Sequence, residues 1–484
     1  MGEAFLKNLI HMGVMLIPLW SGITTANQEV LDYLFDDLTF VDETSRLQHA
    51  QIQLQLRDDQ LESAQQAIRD LLDNNIELGE TNPVLYGKLL ANLGILLSSR
   101  GDYPEAMEAL DPALGFIEEK VNPFSTQLLN VIMARGLTQS ELHYFKEAEE
   151  SFRRAQHITH RVGGVYTPEQ LKIVNYITRL NLRQGKLRDA DREQGFNLRI
   201  SEQAYGKNSE QLLPILQRLG AYFASRGKSI PLTQASDFRF YRDAIFRKSI
   251  NLYQRAIRII EDNYGINDLR LVEPLRGLAR TRLLQITNRN ASEVALERAL
   301  SIVDSNPGTD LPDRVRAMVS LGDIYTITGD RRARKIYLDA WQMMQEDSAY
   351  QQLSAEIFGT PTRLYPEVSG VRYLARTPDA ALNEDVELYI DVAYSVRKNG
   401  RVANIRLLEK NVPNAQVRDM RSKLADTRFR PRIFEGELVA TDNLMIHQTF
   451  EVASPGSTDS SVTIGRDHRS SLLIPDHEFP QLLR

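Results

Sequence analysis

Apolar and small residues recur along this chain with a long, nearly constant period. The segments LESAQQAIRDLL, YPEAMEALDPAL, FKEAEESFRRAQ and LRDADREQGFNL align on Ala64, Ala106, Ala148 and Ala190, spaced 42 residues apart. Four residues after these anchors stand Ile68, Leu110, Phe152 and Gln194, and seven after them Leu71, Ala113, Ala155 and Asn197. Positions i, i+4 and i+7 share one helix face, so each block predicts the inward side of an amphipathic helix. The pattern resumes at Ser249, Tyr253 and Ala256, and again at Ser292, Leu296 and Ala299. A last copy is read with its anchor on Arg334, followed by Leu338 and Trp341. Between Ala190 and Ser249 lies more than one period, and the excess reads as an inserted loop or a lengthened helix near 226–243.

A second helix is expected ahead of each block. Gly94 lies twelve residues before Ala106, Gly136 twelve before Ala148, and Gly322 twelve before Arg334, with Gly220 in the same role before the insertion. Glycine at that point lets the first helix approach the small anchor of the second. A lone helix pair cannot bury its apolar stripe. Neighbouring pairs complete the core, and the expected product is a right-handed α-solenoid over 27–350 with about seven repeats.

After about residue 350 the period stops. Pro361, Pro366, Gly370 and Pro378 mark 351–385 as a linker with one possible strand around Val371–Tyr373. Strict alternation follows in VELYIDVAYSVRKNGRVANIRLLEK, with Asn399-Gly400 as a two-residue hairpin turn. Folding there pairs Val396 with Ala403, Tyr394 with Ile405 and Val392 with Leu407. Val417, Met420 and Leu424 then form one helical stripe, and Leu444, Ile446, Phe450 and Val452 alternate as a strand. The expected order over 386–453 is ββαβ, a small α+β unit. The serine- and charge-rich remainder, 454–484, reads as a disordered tail.

The repeat resembles the tetratricopeptide family: a small residue at position eight of the first helix, alanine at twenty, an aromatic or aliphatic residue at twenty-four and alanine at twenty-seven. The likeness covers about 45–348. The period exceeds the usual 34 residues, as in the long repeats of kinesin light chain, and leaves HEAT-type repeats as the alternative. The fourth copy departs from the pattern, with Thr178, Gln194 and Asn197 in place of small and apolar residues. The resemblance implies that polar residues on the first helices hold an extended peptide, asparagine taking its backbone and lysine or arginine its carboxylates. The matching positions here are Lys88, Asn92, Asn130, Lys172, Asn175 and Arg179.

The C-terminal pieces DVAYSVRKNGRVANIRLLE and RFRPRIFEGELV, with Gly400, Val402, Asn404, Phe429, Pro431, Gly436 and Phe450, resemble the C-terminal domain of TonB-type energy transducers. That likeness implies docking on cell-envelope proteins, commonly by pairing strand edges. A proline-rich spacer and an anchor with the Ser-x-x-x-His pattern are missing, so a docking role is expected rather than energy transduction. A membrane-anchored, TonB-like transducer component coupled to an outer-membrane protein is the alternative.

Composition narrows the field. The chain has 484 residues and a net charge of −6, which argues against nucleic acid as a general partner. It has no cysteine, which excludes disulfides and thiolate metal sites and suits an oxidising compartment. Lys7, the apolar run from Leu9 to Trp20 and the small residues to Ala26 read as a signal peptide over 1–26, cleaved after Ala26. This predicts a periplasmic protein, with inner-membrane anchoring as the alternative. Membrane association is expected only through that segment or a partner. Phosphate loops and hydrolase motifs are missing, so the expectation is a non-enzyme with no cofactor and no metal. His157 and His160, one turn apart, read as surface histidines. Arg418, Arg421, Lys423, Arg428, Arg430 and Arg432 form the candidate basic docking patch. The sum is a periplasmic scaffold that binds protein or peptide through its repeats and docks through its C-terminal domain.

Overall fold

Helix pairs stand where the period places them. The computed structural model describes residues 28–230, 236–285, 289–365, 372–374 and 388–452. The expected signal peptide and the tail lie outside the described residues. Two compact units divide at Ala204.

The first unit carries four helix pairs: α1 (Glu43–Arg57) with α2 (Leu61–Asp73), α3 (Pro83–Arg100) with α4 (Tyr103–Glu118), α5 (Leu129–Glu141) with α6 (Phe145–Gly163), and α7 (Gln170–Arg183) with α8 (Leu187–Tyr205). Helix starts follow local chemistry. Asp42 accepts from the Ser45 amide ahead of α1, and Asn82 accepts from the Leu85 amide ahead of α3, with Pro83 at the first turn. The anchors Ala64, Ala106, Ala148 and Ala190 are all fully buried. Gly94 meets its neighbour as the spacing requires. A Cβ there would lie 2.6 Å from Leu110 Cγ and 2.9 Å from the Ala106 carbonyl oxygen.

The fourth pair replaces apolar packing with buried hydrogen bonds. Gln194 donates to Thr178 Oγ1 at 2.9 Å, Asn197 donates to Asn175 Oδ1 at 2.9 Å, and Ser201 donates to the Asn197 carbonyl. Thr178, Gln194, Asn197 and Ser201 have no exposure. A sequence departure from the apolar pattern is thus a buried polar network rather than a surface.

The second unit holds α9 (Leu213–Ser229) with α10 (Ser236–Tyr264), α11 (Val272–Leu284) with α12 (Arg289–Ser305), and α13 (Leu311–Thr328) with α14 (Arg332–Gln345). The excess between Ala190 and Ser249 lengthens a helix, since α10 runs 29 residues. Gly227 gives it room. A Cβ there would lie 2.3 Å from the Phe246 ring. The last pair corrects the sequence register. Arg334 is exposed, and α14 buries Tyr337, Ala340 and Met344. The small–aromatic–small set is Ala333, Tyr337 and Ala340, one residue earlier than read, and Gly322 backs onto the Tyr337 ring. Packing selects the aromatic that fits the glycine notch.

Beyond α14 come α15 (Gln351–Phe358), β1 (Thr362–Tyr365), β2 (Arg372–Leu374), β3 (Leu388–Val396), β4 (Val402–Lys410), α16 (Asn414–Asp426), β5 (Arg428–Arg430), β6 (Arg432–Phe434), β7 (Glu437–Val439) and β8 (Thr441–Val452). One sheet has the order β2–β8–β3–β4, with β2 parallel to β8 and the other neighbours antiparallel. Leu388, Ile390, Val392, Tyr394 and Val396 of β3 share a core with Val417, Met420 and Leu424 of α16, Phe429 and Phe450.

The hairpin register differs near its turn. Val396 faces Val402 and Ser395 faces Ala403, while Val392 faces Leu407 as expected. The Arg397 amide donates to the Arg401 carbonyl at 2.9 Å, so Lys398, Asn399 and Gly400 form a three-residue loop. Gly400 at φ +76° fills the left-handed position of such a loop. The missing residue is restored at an irregularity by Asn404, itself at φ +51°. Gly400 also accepts from the Phe429 amide at 2.9 Å, and a Cβ on it would lie 2.1 Å from the Phe429 carbonyl oxygen. Gly400→Ala is therefore expected to destabilise the protein by more than about 1 kcal/mol in denaturant unfolding; an unchanged midpoint would contradict this geometry.

The segment 351–385, read as a linker, contains α15, β1 and β2 among its described residues. The sequence alone suggests that the chain divides into independent pieces near Thr360, but the structure shows a shared core there. Ile433 of β6 and Leu438 of β7 pack with Tyr337, Ala340, Met344 and Phe358, and β1 pairs with β5. The β6–β7 ribbon covers apolar surface that the last helix pair has no further repeat to cover.

Candidate functional site

The face built by α3, α5 and α7 is covered by the chain's own residues 29–40. This segment begins with a helical turn, Val30–Tyr33, and then runs on without regular structure to Phe40. Val30, Tyr33, Phe35, Leu38 and Phe40 are buried in the core of the first unit, while Asp32, Asp36 and Asp37 are exposed. Apolar side chains therefore point at the helices and carboxylates flank them.

Asn92 makes the central contact. Its Oδ1 accepts from the Phe35 amide at 2.7 Å, and its Nδ2 donates to the Phe35 carbonyl at 2.8 Å. One side-chain amide thus satisfies both polar groups of a single residue, as a neighbouring β-strand would. Four residues earlier on α3, Lys88 Nζ bonds Asp37 at 2.6 Å and lies 5.4 Å from the Phe35 ring centre. On α7, Lys172 Nζ bonds Asp32 at 2.6 Å and lies 4.9 Å from the Tyr33 ring. Arg179 pairs with Glu29 and stacks over Tyr176 at 4.7 Å. Tyr176 in turn lies 6.4 Å from Tyr33. Burial pushes the Tyr33 hydroxyl far above its usual range and the Tyr176 hydroxyl up to about 12, so both stay neutral. At the far end Phe40 packs 5.7 Å from His49, whose imidazole is lowered by burial against the opposing charge of Asp36.

Of the six expected peptide contacts, Lys88, Asn92, Lys172 and Arg179 converge on this one segment. Asn130, on α5, is half-buried on the same run of first helices. Asn175 is placed differently. Its Oδ1 accepts from Asn197 inside the fourth pair, where the missing apolar core makes a polar partner necessary. The covering segment itself was not anticipated. Its signal is the run DYLFDDLTF ahead of the first repeat, where apolar residues alternate in pairs and no helical period is present.

The basic set does not form one surface. Arg430 is largely buried and bonds Asp323 on α13 through two nitrogens, at 2.9 and 2.7 Å. Arg428 donates to the carbonyls of Ala425, Asp426 and Thr427 at the end of α16. Arg421 donates to the Ile405 carbonyl, Lys423 pairs with Asp419, and Arg432 lies over Phe434. Arg418 is exposed on α16. Along β5 Phe429 faces the β3–α16 core, so Arg430 takes the opposite side, where Asp323 of α13 meets it. His160 bonds Gln170, with His157 packed edge-on against it. Among the described residues no cluster of histidine and carboxylate suits a metal ion, and no helix is long and apolar enough to cross a membrane.

No family model matches this chain, and no curated protein matches it. Solved structures do, at low identity. The putative kinesin light chain TPR-like repeats of Podosopora anserina share 12% identity, with 56% of this chain and 100% of that chain covered and a TM-score of 0.29. BtubC of P. vanneervenii shares 14% identity, with 63% and 90% covered and a TM-score of 0.24. A Rap protein complexed with competence and sporulation factor shares 11% identity, with 69% and 86% covered and a TM-score of 0.26.

Proposed function

We propose that this protein is a non-enzymatic adaptor whose α3–α5–α7 face binds an extended segment of a protein partner. The observation that carries the reading is the two-bond clasp of Asn92 on the Phe35 backbone, flanked by cations that meet carboxylates on either side. A side chain that grips main chain is indifferent to sequence, and the flanking charges supply selectivity. The β-rich region is the second docking element in this proposal. Its likeness to the TonB C-terminal domain supports that role, and β4 stands at one edge of the sheet with Leu407 and Leu408 exposed. Export to the cell envelope, with cleavage after Ala26, completes the proposal and would leave the 29–40 segment near the new N-terminus.

A photo-crosslinking residue in place of Asn130 tests the binding role in cells. Adducts with a second polypeptide are expected, and they should weaken when Asn92→Ala is added. Crosslinks confined to the chain itself would reject the adaptor reading. N-terminal sequencing of the recovered protein is expected to begin near Asn27, and an intact Met1 on protein in the cytosol would overturn the envelope assignment.

A further inference from the structure

The segment on the α3–α5–α7 face is an imprint of what that face recognises. Its chemistry is specific: acid at Glu29 and Asp32, aromatic at Tyr33 and Phe35, acid at Asp37, then Leu38 and Phe40. Each feature has a counterpart. Arg179 and Lys172 answer the first two acids, the Tyr176 ring and the Lys172 and Lys88 ammoniums answer the aromatics, and Lys88 answers the last acid. Resting on the adaptor reading, we infer that residues 29–40 are a resident ligand, and that the partner is an extended peptide with paired aromatics between acidic residues, which binds by displacing them.

Two features fit exchange rather than permanent structure. Two of the three carboxylates that fix the segment are well exposed, with side chains 59% exposed at Asp32 and 65% at Asp37 against 21% at Glu29, so solvent competes for those two ion pairs. Val41, which follows the segment and leads into α1, is fully exposed and gives the chain a tether that nothing packs against. Because the resident segment is covalently attached, its effective concentration is high. A free peptide of the same chemistry therefore binds weakly until the attachment is loosened.

The test uses the full chain and two labelled synthetic peptides. One has the sequence of residues 29–40, and the other carries lysine at the four acidic positions. Asp32→Lys/Asp37→Lys opens the face by reversing exposed charges and leaves the buried aromatics in place, so helical circular dichroism should persist. A second opened variant, Tyr33→Ala/Phe35→Ala, removes the apolar anchors instead. The acidic peptide is expected to bind either opened chain at least about tenfold more tightly than the wild type, a change equivalent to about 1.4 kcal/mol. Asn92→Ala in the opened background should abolish that gain, and the lysine peptide should bind none of the chains. Equal binding of both peptides to an opened, folded chain would overturn the inferred chemistry while leaving a peptide-binding face. Equal binding of the acidic peptide by wild-type and opened chains would overturn displacement. Binding of neither peptide, with adducts at position 130 intact, would reject the resident-ligand inference alone; with those adducts also lost, the adaptor reading falls too.

Discussion

Gly94→Leu is expected to destabilise the first unit by about 3 kcal/mol or more, at or beyond the top of the range for overpacked cores. The reason is that the clash involves backbone. The added Cβ would lie 2.9 Å from the Ala106 carbonyl oxygen and 2.6 Å from Leu110 Cγ. Leu110 could change rotamer, but the Ala106 carbonyl is part of the α4 ladder and moves only with the helix. α3 would have to lift off α4, and Ala91 and Leu97, buried one turn either side of Gly94 on the same helix face, would lose their cover. In a stacked array the loss reaches neighbouring pairs, because each interface is shared. Thermal unfolding by circular dichroism should show an early transition or a single lowered one. Gly115→Leu is the control, since a Cβ there meets nothing within 4 Å. Equal stability of the two variants would show that the close approach of α3 and α4 is wrong.

The repeat was legible because its signal is carried by residues that packing cannot replace. Small anchors and opposing glycines occur where two helix backbones nearly touch, and that requirement is written into identity and spacing. Where the requirement lapses, legibility does too. In α14 the two alternative registers differ by one residue, and only the notch at Gly322, which takes the Tyr337 ring, selects between them. In the fourth pair Thr178, Gln194 and Asn197 look like loss of pattern, because hydrogen bonding among buried amides leaves no periodic trace.

The candidate site was half legible. Positions on the first helices were found from the repeat register, and Lys88, Asn92, Lys172 and Arg179 do hold an extended segment. Which segment they hold was not, because nothing in the repeat period refers to residues outside it. Distances of 51 to 150 positions separate the partners along the chain. One member of the basic set was misplaced for the opposite reason. Charge density in sequence says nothing about direction in a strand, and Arg430 points inward.

That inward arginine sets the second large effect. Asp323→Ala is expected to cost about 3 kcal/mol, the low end of the range for removing one partner of a buried ion pair, because the two side chains keep 13% and 20% exposure. Asp323 accepts from Arg430 Nε and Nη2 and from the Tyr337 hydroxyl at 2.7 Å, and Tyr337 accepts from Thr326 at 3.1 Å. Burial works against the Arg430 charge, and the adjacent carboxylate more than offsets it, holding the guanidinium above its usual range. Without Asp323 the charge would keep the Ile357 carbonyl, at 3.1 Å, and the Tyr337 hydroxyl, neither of which is an anion. Arg430 stands on β5, so its loss of anchorage frees the strand that pairs with β1 and leads into the β6–β7 ribbon over α14. Asp323→Ala/Arg430→Met removes both charges and should recover a substantial part of the loss, because no unpaired ion remains. The same logic predicts the fate of a chain cut near Thr360: its N-terminal piece would expose Tyr337, Met344 and Phe358 and should aggregate or bind an apolar dye, and its C-terminal piece would carry Arg430 without its carboxylate. Additive costs in the double variant, or a soluble and fully stable N-terminal piece, would show that the β-rich region is merely tethered to the repeats, and that the shared core does not hold them together.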